Sequence, residues 1–131
     1  MALRLEELAK TIDHLLCQSD PTPGDVIRLC DESCEHHFAA VRVGPQYVRV
    51  AAERLRGCDV KVAALVAGRD RKAKAELAEH CVAAGAAEIE IGLDTEAMLA
   101  GAFRDRFYVE LQRPYERGDV RRNAALRELA E

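Results

Sequence analysis

The sequence predicts an α/β fold in which about five parallel strands curl toward a barrel, with the helices on the outer face. Short β-branched runs alternate with helical patterns of about 10–15 residues, which is typical of βαβ units. Right-handed crossovers then place successive helices on one side of the sheet. Each strand has one apolar and one polar face, whereas a parallel sheet covered on both sides would be apolar throughout. The 131 residues, 49% of them hydrophobic, fit a single domain spanning residues 1–131.

The first three elements follow from local signals. A helix is predicted over residues 3–9 and a short strand over residues 11–14. The second helix is predicted to begin after Thr22, with Pro23 at its first position and Asp25 in its first turn. A threonine cap, an early proline and an early carboxylate all suit the unpaired N–H groups of a helix start.

The remaining elements alternate in the same way. Strands are predicted at residues 38–43, 60–66, 88–92 and 107–112. Helices are predicted at residues 46–55 and 70–84, with a short helical turn at 95–99 and a last helix from Asp119. Gly85 and Pro114 mark two of the ends, since glycine favours helix termination and proline cannot continue a strand ladder.

Charge and hydropathy argue against nucleic acid and membranes as partners. With 23 acidic and 19 basic residues the net charge is −4, which argues against nucleic acid. No run of about 18 apolar residues occurs, so no membrane-spanning helix is predicted. The N-terminus does not resemble a signal peptide, so a cytoplasmic protein is expected. The basic residues near the start of the helix at 70–84 are interpreted as a solvated face rather than a phosphate or RNA patch: Arg69, Arg71, Lys72 and Lys74.

Five cysteines are an odd number, and without an export signal a disulfide framework is not expected. Cys30, Cys34 and His37 fall at helical spacing and could bind a soft metal. Cysteines on a helix more often pack as small hydrophobic residues, so no metal site is predicted. No phosphate loop or dinucleotide fingerprint occurs, and no cofactor is predicted.

Alternation along the strands gathers charged residues on the concave face. The predicted catalytic residues are the carboxylates and the phenol of this set: Asp13, Glu90, Tyr108 and Glu110. Carboxylates brought close raise one another's pKa and can act as general acid or base. Arg42 could hold an anionic group or an oxyanion. The predicted substrate-binding residues are Arg42, His14, Lys61 and Gln112. The alternative is that Arg42 forms a purely structural salt bridge with Glu90.

Several stretches together resemble one family. They are TIDHLL at residues 11–16, Thr22-Pro23, FAAVRVGPQYV at 38–48, VKVA at 60–63 and GAAEIE at 85–90, followed by a fifth strand at 107–112 and a helix at 120–130. These stretches resemble deoxyribose-phosphate aldolase, a class I aldolase with a TIM barrel, and they cover about the first five of its eight strands. The resemblance therefore implies a divergent, truncated family member that forms a partial (β/α) barrel of the TIM type.

The resemblance also implies altered chemistry. The family's Schiff-base lysine lies on the sixth strand, and the lysine that lowers its pKa lies on the seventh; the resemblance reaches neither. Asp13 matches the family's residue type, but Glu90 stands where the family has aspartate, Arg42 where it has cysteine and Tyr108 where it has lysine. Lys61 matches a position without the nucleophile's role.

Two functions are therefore compared. The first is an enzyme that uses acid–base chemistry on a small oxygenated or anionic metabolite, by cyclisation, isomerisation, dehydration or carbon–carbon cleavage without a Schiff base. The alternative is a non-catalytic pseudoenzyme or a subunit that completes a composite barrel. Open sheet edges have unpaired N–H and C=O groups, so a homodimer formed through them is predicted.

Overall fold

The computed structural model describes residues 4–68 and 70–92 of the chain. The elements, in chain order, are α1 (Leu5–Ala9), β1 (Asp13–Leu15), α2 (Pro23–Glu35), β2 (Ala40–Val43), a 3-10 turn (Pro45–Tyr47), α3 (Val48–Arg54), β3 (Lys61–Val66), α4 (Arg71–Ala84) and β4 (Glu88–Ile91). The strands form one parallel sheet in the order β1-β2-β3-β4. The prediction of parallel strands joined by helices is confirmed. The predicted fifth strand, the turn at 95–99 and the last helix lie outside the described residues.

The start of α2 is held by the residues that predicted it. The Thr22 hydroxyl accepts a hydrogen bond from the Asp25 backbone N–H at 3.2 Å, and the Asp25 carboxylate accepts one from the Thr22 N–H at 2.8 Å. This reciprocal pair satisfies two N–H groups that have no partner within the helix. Hydrogen bonds from Thr22 lower the pKa of the Asp25 carboxyl.

Specific residues also fix the two ends of α4. The Asp70 carboxylate accepts a hydrogen bond from the Ala73 N–H at 2.7 Å and so caps the first turn. Gly85 ends the helix in the left-handed region, at φ +114°. A side chain would be strained there, and a Cβ would also meet the Ala52 Cβ at 2.7 Å. Gly85 therefore permits both the helix end and the close packing of α4 on α3.

The core lies between the helices and one face of the sheet. On the sheet, buried apolar residues alternate along the strands: Val41, Val43, Val62, Ala64, Val66 and Ile89. The helices cover them with residues from α2, α3 and α4, which include Val26, Leu29, Val48, Ala51, Ala78 and Cys81. The sheet face that packs on the helices is therefore the one that the alternation predicts.

The cysteines correct one expectation. Cys34, near the end of α2, forms a disulfide with Cys58, in the segment before β3, with their Cα atoms 6.0 Å apart. Residue counting could not reveal this pair, because the crossover through α3 brings together segments 24 residues apart. Cys30 is fully buried, and burial raises the pKa of its thiol to about 11. Among residues 4–68 and 70–92, no three potential ligands cluster as a metal site.

Lys74 is a second correction, since it was interpreted as part of a solvated face. It is only 6% exposed, whereas Lys72 lies in solvent near Glu76. The reason is helical periodicity, because residue 74 lies four and seven positions before the buried Ala78 and Cys81. In the described part of the chain, no helix is long and apolar enough to cross a membrane.

Candidate functional site

The polar face of the sheet, defined as the face opposite the helices, gathers charged residues from all four strands. Pairing places Asp13 beside Ala40 and Ala40 beside Lys61, while Arg42 lies beside Ala63 and Ala63 beside Glu88. Because paired residues project to the same side, the charged residues share one face. They are Asp13, Arg42, Lys61, Glu88 and Glu90.

The closest contact on the polar face joins Arg42 and Glu90. The Arg42 Nη1 donates a hydrogen bond to the Glu90 Oε1 at 2.6 Å, with the side chains 30% and 44% exposed. Each is the third residue of a four-residue strand, so the pair lies toward the carboxyl ends, where the active sites of TIM barrels occur. The hydrogen bond to Glu90 raises the pKa of the Arg42 guanidinium further. This contact is also the salt bridge of the structural alternative.

A second ion pair lies toward the start of the strands. Lys61 and Glu88 are the first residues of β3 and β4, and the Lys61 Nζ lies 3.4 Å from the Glu88 Oε1. Their side chains are 61% and 39% exposed, so water screens the pair. Lys61 is therefore a solvated cation that lies level with Asp13 in the strand register, two residues before Ala63, the partner of Arg42.

Asp13 has the electrostatic environment of an acid–base group. Asp13 is exposed, yet desolvation by its surroundings raises the pKa of its carboxyl, and the negative charges of Glu88 and Glu90 raise it further. Arg42 opposes them with a smaller lowering effect. Two carboxylates of β4 and the guanidinium of β2 thus act on the Asp13 carboxyl of β1. A carboxylate with a raised pKa is a stronger base, as proton transfer near neutral pH requires.

His14 is not brought to this group. It follows Asp13 on β1 and therefore projects to the helix side, where its Nε2 lies 3.0 Å from the Glu32 Oε2. Its ring also packs edge-on against Phe38, with the ring centroids 5.4 Å apart. The predicted substrate-binding set is corrected in this respect, because adjacent strand residues cannot share a face. The predicted site residues Tyr108, Glu110 and Gln112 lie outside the described residues.

Two residues near the site were missed as candidates. Glu88 raises the pKa of Asp13, and its position two residues before Glu90 was the available signal. Cys17 is exposed just after β1 and interacts electrostatically with Arg42. Nothing in the local sequence marks Cys17, because its approach to Arg42 depends on the loop that follows β1.

Known proteins are similar in sequence to most of this chain. A deoxyribose-phosphate aldolase from Geobacillus sp. (strain WCH70) is 35% identical over 98 residues, which cover 72% of this chain and 44% of that protein. The deoxyribose-phosphate aldolase of Caldicellulosiruptor saccharolyticus is 37% identical over 111 residues, covering 82% of this chain and 50% of that protein. No protein-family model matches the sequence.

Solved structures share the fold. The deoxyribose phosphate aldolase from Aeropyrum pernix, a tetramer, superposes with a TM-score of 0.74 over 97% of this chain and 50% of that one, at 18% identity. The aldolase QR15 superposes with a TM-score of 0.74 over 84% of this chain, at 22% identity. The described strands and helices are therefore part of a TIM-type barrel, as predicted.

Proposed function

Because this chain belongs to the deoxyribose-phosphate aldolase family and spans about half the length of the curated relatives it matches, we propose that it is an aldolase-like enzyme working by acid–base chemistry without a Schiff base. One observation carries the proposal. Asp13 lies on the same sheet face as the Arg42–Glu90 pair, whose Nη1 and Oε1 are 2.6 Å apart, and desolvation together with the charges of Glu88 and Glu90 raises the pKa of the Asp13 carboxyl. No lysine of the described polar face has such an environment, since Lys61 is solvated and beside Glu88.

Asp13 acts as the base, and Arg42 stabilises the negative charge that develops. The Asp13 carboxylate removes the proton of a substrate hydroxyl, and the electron pair of the adjacent carbon–carbon bond moves toward a carbonyl as that bond breaks. The oxyanion of the resulting enolate lies against the Arg42 guanidinium, which stabilises developing negative charge. The proton then returns from Asp13 to the enolate carbon, so that the carboxylate is regenerated.

Glu90 orients the guanidinium. Its Oε1 accepts from the Arg42 Nη1 at 2.6 Å, which leaves the other N–H groups of Arg42 able to meet a substrate oxygen. The predicted catalytic roles of Tyr108 and Glu110, and the substrate-binding roles of Lys61 and Gln112, remain part of the proposal. His14 is left out of it.

In isomerisation, dehydration or cyclisation the same carboxylate would instead remove the proton from the carbon next to the carbonyl, and Arg42 would again stabilise the oxyanion of the resulting enolate. The substrate class is a small oxygenated or anionic carbonyl compound, since Arg42 is a partly exposed cation of the described polar face. The test measures exchange of the proton next to the carbonyl into D₂O by NMR, over a panel of short hydroxyaldehydes and hydroxyketones with and without a carboxylate or phosphate.

We expect Asp13→Asn to slow exchange by about 10²–10⁴-fold, the usual contribution of a general base. Arg42→Gln should slow it by about 10²-fold or more, because one charge-stabilising donor is lost. His14→Asn is the control and should exchange at the wild-type rate. If Asp13→Asn exchanged as fast as a catalysing wild type, Asp13 would not be the base and the proposal would fail. A wild type that exchanged no faster than the uncatalysed reaction would favour the non-catalytic alternative.

The absence of a Schiff base is tested separately. Borohydride reduction in the presence of a short aldehyde traps any lysine imine as a stable adduct. We expect the wild type and Lys61→Arg to give the same mass spectrum, with no adduct at residue 61. An adduct at Lys61 that the substitution removes would return this chain to amine chemistry.

We also propose that the chain forms a homodimer through its sheet edges in the cytoplasm. β1 is the first strand of the sheet and pairs only with β2 among the described strands, and an outer strand presents unpaired backbone groups. Light scattering coupled to gel filtration should give a mass near twice 14.5 kDa. A mass of one chain at all concentrations would exclude the dimer.

A further inference from the structure

A second group of reactive side chains lies at the opposite end of the sheet. An open pocket of about 600 Å³ is formed where β2 and β3 begin, by the end of α2 and the segment from α3 to β3. Cys34 and Cys58 lie in its wall, together with Arg54 and Arg56. Pockets of this size are large enough for small organic ligands.

The sulfurs are placed for reaction with a small molecule. Cys34 and Cys58 are partly buried, with Cα atoms 6.0 Å apart, a separation at which two cysteines can be joined or separated without backbone movement. The buried thiols contrast with this pair, because Cys30 and Cys81 are 0% and 2% exposed. Among the described cysteines, the pair is therefore the one in which two neighbouring sulfurs share a pocket.

The pocket has a positive bias. Arg54 is neutralised by Asp31, to which it donates two hydrogen bonds of 2.6 and 2.8 Å. Asp59 is neutralised by Lys10, whose Nζ lies 2.6 Å from its Oδ2. Arg56 is exposed and makes no ion pair with any side chain in the described ranges. An anionic ligand would thus find one unengaged guanidinium beside the two sulfurs.

We propose that Cys34 and Cys58 form a thiol–disulfide exchange site for an anionic small-molecule disulfide of the glutathione class. One cysteine thiolate attacks a sulfur of this oxidant, breaks its S–S bond and releases one small thiol. The second cysteine thiolate attacks the mixed disulfide, so that the Cys34–Cys58 bond forms and a second small thiol leaves. Two protein thiols are oxidised and one small disulfide is reduced, and the protons of the protein thiols pass to the two leaving thiols.

The Cys34–Cys58 disulfide should also raise the stability of the folded chain. It joins the end of α2 to the segment before β3 and closes a loop across 24 residues. A cross-link of this kind restricts the unfolded chain. The oxidised protein should therefore melt at a higher temperature than the reduced one, by on the order of 10 °C.

The test uses the full chain carrying Cys17→Ser, which removes the exposed thiol outside the pocket. Reduced protein is equilibrated in mixtures of reduced and oxidised glutathione, alkylated and digested with trypsin. We expect the peptide of residues 57–61 to become linked to that of residues 29–42 through Cys34, with the melting temperature rising in parallel and reversed by dithiothreitol. Adding Cys58→Ser should abolish both and leave a glutathione adduct on Cys34.

The choice of ligand is tested by rate. Arg56→Ala should slow oxidation by oxidised glutathione roughly threefold, the effect expected of one exposed charge, and should not slow oxidation by the cationic disulfide cystamine. Arg49→Ala is the matched control, since Arg49 is an exposed arginine of α3 that does not line the pocket.

Two results would overturn the proposal. Complete alkylation of Cys34 and Cys58 in oxidised glutathione would show that the exchange site does not exist. Equal slowing of glutathione and cystamine by Arg56→Ala, or equal effects of Arg56→Ala and Arg49→Ala, would show that the pocket does not select an anionic disulfide.

Discussion

The two faces of the same four strands follow different rules. On the helix side, Val41, Ala64 and Val66 are each no more than 1% exposed, within one apolar cluster. On the polar face, one residue along, Arg42 and Leu65 remain 30% or more exposed, and charges meet in pairs. One face therefore supplies stability, whereas the other holds charged groups close together where a substrate can reach them.

Residues that stabilise the sheet and residues that carry charge thus differ by a single position along each strand. A shift of one residue would carry every charge of the polar face beneath the helices. The apolar face fixes the register, and the register fixes which carboxylates approach Asp13. The site thus depends on core residues that do not touch it.

The largest expected effect comes from placing the same amide on each face. Val66→Gln should destabilise the protein by about 3–5 kcal/mol, because it loses a buried side chain and buries an amide without partners. Leu65→Gln, at the neighbouring position that is 37% exposed, should cost about 0.5 kcal/mol or less. Urea unfolding of both variants measures the difference. Similar losses would mean that the two faces do not differ in burial.

Glycines on the helix side give the next effect. Gly85→Ala should cost about 2–4 kcal/mol, because it combines a strained positive φ with a contact 2.7 Å from the Ala52 Cβ. Gly57→Ala has the strain alone, since nothing lies within 4 Å of its added methyl, and should cost about 1–2 kcal/mol. Thermal unfolding of the two variants compares them, and equal losses would remove the packing contribution at Gly85.

The ion pair of the polar face should contribute little to stability. A double-mutant cycle of Arg42→Gln and Glu90→Gln should give a coupling of about 0.5–1 kcal/mol, because the pair is partly exposed. The coupling should fall as salt is added. A coupling above about 3 kcal/mol would favour the structural alternative, in which this salt bridge exists to hold the barrel together.

The smallest expected effects are changes of folding stability with pH, which should have opposite signs for Asp13 and Asp59. The folded state raises the pKa of Asp13, so the folded chain binds its proton more tightly and loses stability as the pH rises above 3.8 through the raised value. Hydrogen bonds from Lys10 and His37 lower the pKa of Asp59 to about 2, so its stabilising contribution is lost as the pH falls from 3.8 toward 2.

Thermal unfolding between about pH 3 and 7 measures both pH dependences. The melting temperatures of Asp13→Asn and Asp59→Asn are each compared with that of the wild type. The melting temperature of Asp13→Asn should rise relative to the wild type as the pH increases, whereas that of Asp59→Asn should fall relative to it. The same trend in both variants would contradict the assigned environments.

Periodicity predicted the fold well, because alternation in β2 and β3 and the Thr22 and Gly85 signals are local. It also separated Arg42, Lys61 and Glu90 from the helix-facing residues. Contacts that depend on loops and crossovers were not predictable. The approach of Cys17 to Arg42 and the Cys34–Cys58 bond both arise from chain segments that no periodicity relates.

Errors also arose where a residue type was given more weight than its position. His14 was grouped with Asp13 for its chemistry, although the alternation of β1 sends it toward Glu32. The nearby acidic residues of the helix predict a solvated Lys74, although its helical position places it on the same face as the buried Ala78 and Cys81.

The most direct test is a titration of the Asp13 carboxyl by NMR in the wild type and in Glu90→Gln. We expect a pKa above the ordinary 3.8 in the wild type. We expect a lower Asp13 pKa in Glu90→Gln, because a neighbouring negative charge is removed and Arg42 is released from its partner. An Asp13 pKa at or below 3.8, unchanged by the substitution, would contradict the convergence of these carboxylates on the polar face.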